Sequence, residues 1–202
     1  ARQTINQVRV DLGDNPATDL WLWAGGPRPE ILEKFGGRSL RGLMVTQSAM
    51  ARGLALRLGM AVEDLAETWL VTEGETAPAV TGDQVAAWFQ DYDVVAVYVE
   101  APPRLIEGPP AERVRLLDRL DLVLTAPLLE AIKKVKQRRM VLATVPAASL
   151  RHAPHSAEQP PVVVWGAHVH PDEVKRWDED ACSEGELGSV EAMEVFGRLV
   201  GG

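Results

Sequence analysis

The sequence predicts an α/β layered fold with a mostly parallel sheet flanked by helices. Two observations carry this. Short β-rich runs alternate with helical ones along the chain, and strands separated by helices pair in parallel through crossover connections. One run, "DVVAVYVEA" (residues 93–101), is almost wholly apolar, as a strand covered on both faces must be.

The elements follow in order. "DLWLWAG" (19–25) reads as a strand ending at a Gly-Gly turn, and "RGLMVTQ" (41–47) as another. Ser48 is placed to cap "AMARGLALRLG", which Gly59 can terminate. "DQVAAWFQDY" (83–92) is helical and leads into the apolar strand. Residues 110–137 form a long amphipathic helix: Pro110 suits its first turn, and Leu116, Leu120, Leu124, Leu128 and Ile132 keep helical spacing. Pro127 should kink or break it. "RMVLATV" (139–145) and "PVVVWG" (161–166) are the later strands, and "SVEAMEVFGRLVG" (189–201) is a closing helix. The Pro- and His-rich stretch 150–161 reads as a loop.

Bulk composition narrows the function. The 202 residues carry a net charge of -8, which argues against nucleic acid as a partner. The one basic run, "KKVKQRR" (133–139), suits a helix C-terminus better than a polyanion site. A single cysteine, Cys182, forms no disulfide within the chain and fits a reducing cytoplasm. With no His near it in sequence, it reads as a bland thiol. No apolar run reaches about 18 residues, so no membrane partner is expected. There is no secretory signal pattern. The chain opens on Ala1 rather than Met, as a segment of a longer protein would.

"LWLWAGGPRPEILEKFGGRSLRGLMVTQSAMARGLALRLGM", "DYDVVAVYVEAP", "RLDLVLTAPLLEAI" and "SLRHAPHSAEQPPVVVWG" occur in that order along the chain. Together they resemble the archaeal-type cofactor-independent phosphoglycerate mutases, of the alkaline phosphatase superfamily. The resemblance covers almost the whole chain. It implies an alkaline-phosphatase-like fold and one domain over residues 1–202, without the family's N-terminal nucleophile segment. It also implies a centre in which two divalent ions hold a phosphate while a Ser accepts it.

Carried over position by position, the resemblance leaves that centre depleted. Pro103 stands where the family has an Asp ligand after "VEAP". The next His corresponds to Glu107, or to Ile106 with a one-residue deletion. Thr144 and Val145 replace an adjacent Asp-His pair, and His155 alone matches a His ligand. Pro and Val offer no ligand atom, and Thr is a poor one for Mn or Zn. Arg52 replaces a family lysine, keeping the charge but not the shape. The resemblance places substrate contacts at Arg52 and Arg151, and any metal at His155 and Glu107.

Two readings result. In the first, the chain is a non-catalytic binding or structural homologue without a metal cofactor, holding a small phosphorylated metabolite or a protein partner. In the second, it is part of an active mutase using Mn or Zn, whose nucleophile lies outside the chain.

Other constellations weigh less. "HVH" would place His168 and His170 on one strand face, and Asp172 and Glu173 lie nearby. A polar loop entering a helix at Pro171 is the simpler account. "WAGGPRP" lacks the Gly-Lys-Ser pattern of a phosphate loop and reads as a turn. The acidic run 178–186 lacks EF-hand spacing. The six tryptophans are assigned to the core by default.

Overall fold

A computed structural model describes residues 2–19, 25, 40–65, 78–100, 108–144 and 159–200. The chain divides into two compact units, Ala1–Ile31 and Leu32–Gly202. In the first, helix α1 (Arg2–Asp11) ends where Gly13 takes a left-handed φ of 80°. The Asn6 side chain then clasps Ala17: its amide donates to the carbonyl at 2.9 Å and its oxygen accepts from the N–H at 2.7 Å. Val8 and Val10 on this helix are exposed. Its sequence has no clean apolar stripe, so periodicity gave no expectation of a helix there. The expected strand at 19–25 falls mostly outside the described residues.

The second unit is built on a parallel sheet. Strand β1 (Gly42–Thr46) is central, flanked by β2 (Ala61–Asp64) and β3 (Val94–Tyr98), both parallel to it. Register sets Thr46 opposite Asp64 on one side and Tyr98 on the other. β2 was not expected, because four half-buried or exposed residues are too few for a periodic signal.

Helix α2 (Ala49–Arg57) joins β1 to β2. As expected, Ser48 caps it, accepting from the Ala51 N–H at 3.4 Å, and Gly59 supplies the left-handed residue after it, at φ 73°. Helix α3 (Gly82–Asp91) starts at a reciprocal capping box. Thr81 accepts from the Gln84 N–H at 3.2 Å, and the Gln84 side chain accepts from the Thr81 N–H at 2.9 Å. Its inward face sends Val85 and Trp88 into a core with Leu43, Val45, Leu65 and Val80. Trp88 is buried and donates its indole N–H to Glu63 at 2.8 Å, which satisfies its polar end. Trp177, assigned to the core from sequence, is instead exposed.

The long helix forms without a break. α4 (Pro110–Leu120) runs through a π turn (Asp121–Thr125) into α5 (Ala126–Ile132). The Ala126 N–H reaches back to the Asp121 carbonyl, the five-residue span of a π turn. The cause is local. Proline has no N–H for the carbonyl four residues back, and its ring crowds that carbonyl. In this helix that carbonyl is Val123's, and it accepts instead from the Ala79 N–H at 2.7 Å. The orphaned acceptor therefore ties the helix to the segment leading into α3. Val123 and Leu124, within the π turn, are buried in the core.

Strands β4 (Arg139–Ala143) and β5 (Val162–Gly166) depart from the parallel expectation. They pair with each other, antiparallel, as a separate two-stranded ladder. Strands this apolar carry no signal of direction. The Pro-rich stretch between these two also lacks the helical pattern of a parallel crossover. Helix α7 (Ala192–Val200) packs against this ladder. Arg139 donates to the Arg198 carbonyl at 3.0 Å, near the end of α7.

The helix expected over 110–137 ends earlier, at Ile132, so the basic run follows it rather than filling its last turn: Lys133 is the residue at its C-terminal cap and pairs with Glu130 at 2.6 Å. Arg138 lies over Trp165, 5.3 Å from the ring centroid. The segment after Pro171 is not a helix. Helix α6 (Glu179–Ser183) starts later, where Asp178 accepts from the Ala181 N–H at 2.7 Å. Among the described residues no helix is long and apolar enough to cross a membrane.

Candidate functional site

In open parallel sheets, ligands gather beyond the carboxyl ends of the strands. At that edge β1 ends in "TQS". Thr46 and Ser48 are both buried, and the Thr46 hydroxyl accepts from the Ser48 N–H at 3.0 Å. Gln47 between them donates to the Glu100 carbonyl at 2.9 Å. This bond fastens the exit of β3, where "VEAP" begins, to the end of β1. The Gln47 side-chain oxygen is shielded from water and has no hydrogen-bond partner among the described residues.

Arg52, the expected substrate contact, lies on the first turns of α2, with its N–H bonded to the Ser48 carbonyl. Its guanidinium pairs with Asp64 at the end of β2. The pair is open to solvent, with the Arg52 side chain 40% exposed and the Asp64 side chain 75% exposed. Water and salt therefore weaken it, and an anionic ligand can compete for the guanidinium. Arg52 sits beside the N-terminal turn of α2, where the helix dipole also favours negative charge.

Sequence reasoning singled out Arg52 as a substrate contact and Ser48 only as a helix cap, and did not single out Asp64 or Gln47. Each ends a strand or directly follows one, and strand boundaries are where sequence patterns are weakest. Glu107, Arg151 and His155 lie outside the described residues, as do Pro103, Ile106 and Val145. Thr144 is described; it directly follows β4 and is half-buried.

The other candidates disperse. His168 takes a left-handed φ of 62° in the turn after β5, so "HVH" is not a strand and gives no shared face. Both Asp172 oxygens accept from backbone, one from Val174 at 3.0 Å and the other from Glu186 at 3.1 Å. Among the described residues no group of three His, Cys, Asp or Glu side chains converges as a metal site would require. Burial pushes the Cys182 thiol up, the opposite of what an activated nucleophile needs.

No protein-family model matches the chain. Among curated proteins, the 2,3-bisphosphoglycerate-independent phosphoglycerate mutase 2 of Methanothermobacter thermautotrophicus is 30% identical over 194 residues, covering 95% of this chain and 47% of the relative. The corresponding mutase of Methanothrix thermoacetophila is 24% identical over 200 residues, covering 98% of this chain and 50% of the relative. Among solved structures, a Pyrococcus horikoshii protein superposes with a TM-score of 0.69 at 21% identity, over 97% of this chain and 51% of its own. The cofactor-independent phosphoglycerate mutase of Thermoplasma acidophilum gives 0.53 at 20% identity, over 98% and 46%. The chain spans about half the length of the curated relatives it matches. Its α/β fold is alkaline-phosphatase-like, and the chain is a relative of the archaeal cofactor-independent phosphoglycerate mutases, matched along nearly all of its own length and about half of theirs.

Proposed function

We propose that this chain is a phosphoglycerate-mutase homologue that binds a small phosphorylated metabolite and does not itself transfer the phosphoryl group. One observation carries the reading. Pro103, Thr144 and Val145 occupy positions where the resemblance calls for metal ligands, while Arg52 stands on α2 beside strand ends that are held by the Gln47–Glu100 hydrogen bond and the Arg52–Asp64 pair. A two-metal phosphoryl transfer needs those ligands to hold both ions against the phosphate. Anion binding needs only a cation and backbone donors. His155 and Glu107 fall short of a tight site for Mn or Zn. Arg151 is proposed to share the ligand with Arg52.

Calorimetry with 3-phosphoglycerate tests this. Arg52→Ala is expected to weaken binding about tenfold, the loss of one charge-assisted contact. Asp64→Asn is expected to strengthen it, because the guanidinium no longer has a competing partner. Purified protein carrying stoichiometric Mn or Zn and interconverting 2- and 3-phosphoglycerate would overturn the proposal. That result would favour the second reading, part of an active metal-dependent mutase, in which Glu107 and His155 are ligands and the chain's half-length match to its relatives is the supporting observation.

A further inference from the structure

Two consecutive arginines where β4 begins are employed differently. Arg139 donates to the carbonyls of Ala167 and Arg198, at 3.0 Å each. Arg138 lies over the Trp165 ring, and its Nη1 donates to the Val135 carbonyl at 2.7 Å. Those two contacts fix the plane of the guanidinium and the direction of one corner. Its Nε is shielded from water and has no hydrogen-bond partner among the described residues. Among those residues no carboxylate forms an ion pair with Arg138. Arg138 and Trp165, with Gly166 and Ala167, line a cavity of about 270 Å³. The backbone beside it is drawn close. The Ala167 N–H donates to the Arg138 carbonyl at 2.7 Å, and Gly166 leaves no room for a Cβ against that carbonyl. Gln137, directly before Arg138, holds a left-handed φ of 51°, a costly conformation for a residue with a side chain.

We propose that this cavity is a second ligand site, where a small carboxylate is held side-on by the Nε–Nη2 edge of Arg138 and packs against Trp165. In a planar guanidinium, the Nε–H and Nη2 share one edge, a fork that takes both oxygens of a carboxylate in a single plane. A buried donor without an acceptor is destabilising, and a carboxylate supplies the acceptor while matching the charge. Stacking on the indole holds the fork ready, so little freedom is lost on binding. Lys134 and Lys136, exposed in the same basic run, add positive potential that draws an anion in. The cavity is slightly below the usual size of small-molecule sites, about 300–1,000 Å³, which favours a small metabolite over a polypeptide segment. It lies at the end of the β4–β5 ladder where Arg139 faces Gly166, whereas Thr144 follows the other end. Arg52 and its ligand have no part in it.

Nuclear magnetic resonance on the full chain tests this, with the Arg138 Nε–H signal followed while sodium benzoate is added. The expected result is a saturable shift of that signal. Arg138→Lys keeps the charge and loses the fork. It is expected to weaken benzoate binding about tenfold or more in calorimetry, with the circular dichroism spectrum unchanged. Undiminished binding by the folded variant overturns the proposal. Inorganic phosphate and benzyl alcohol separate the alternatives. Phosphate bound as tightly as benzoate overturns a carboxylate site in favour of a general anion patch. Benzyl alcohol bound as tightly overturns it in favour of an apolar pocket. Absence of a saturable shift in the unsubstituted chain at millimolar benzoate also overturns it, whether or not the variant folds.

Discussion

Gly166 and Gly53 show how one residue type carries opposite consequences. Gly166 ends β5 at φ 130°, and a Cβ there would run into the Arg138 carbonyl oxygen and lie 2.8 Å from the Arg139 Cα. Backbone cannot yield as a side-chain tip can. Gly166→Ala is expected to cost roughly 2–3 kcal/mol, read as a lower denaturant midpoint. Gly53 is exposed within α2, and a methyl group added there would meet nothing within 4 Å. Gly53→Ala is expected to stabilise by about 0.5–1 kcal/mol in the same titration. Asp93 adds a pH dependence. The Arg41 N–H donates to its carboxylate at 2.8 Å, and the guanidinium adds weaker contacts at 3.4 Å, holding the group below its ordinary 3.8. A carboxylate whose folded value is depressed gives stability that is present above its unfolded value and lost as pH falls through the folded one. Asp93→Asn is therefore expected to flatten the loss of stability below about pH 4 in acid titrations followed by circular dichroism.

At the scale of elements, the long helix repays the closest attention. Sequence spacing located it and flagged Pro127, but a kink or break was only part of the outcome. The helix absorbs the proline by widening into a π turn and passing the Val123 carbonyl to Ala79. Pro127→Ala would return an N–H to compete for that carbonyl. The expected result is faster hydrogen exchange at Ala79, with the new backbone amide at position 127 protected in its place. Unchanged Ala79 protection would mean that packing of Val123 and Leu124, not the missing N–H, sets the turn. The cap of α2 was easier to read. Ser48 precedes its helix with an acceptor in hand, and capping is local chemistry that one short stretch displays; Thr81 does the same for α3 but was not singled out in the sequence. Strand β2 and the antiparallel pairing of β4 with β5 were not legible. The first is too short for periodicity. The second depends on the path of a connection rather than on the strands' own residues.

For the whole molecule, the fold class and kinship were legible because they rest on many ordered elements, each weakly informative. The candidate site was legible only in part. Arg52 could be found by resemblance, but its partner Asp64 lies 12 positions later and meets it only through the parallel register of β1 and β2. Sequence order does not display that meeting. The fastening of Gln47 to Glu100 is of the same kind, spanning 53 positions.

The π turn has a bearing on how this chain is aligned with others. Such a turn holds one residue more than the α-helix it interrupts, and one residue is worth about 100° of rotation. The faces of α4 and α5 are therefore out of step by that amount when counted straight through. A relative whose helix is uninterrupted will match both faces only if a single-residue gap falls within 121–125. Combined with Pro127→Ala, deleting one residue there should be better tolerated than deleting one from either flank, since the shortened helix could then close into a regular one with both faces in place.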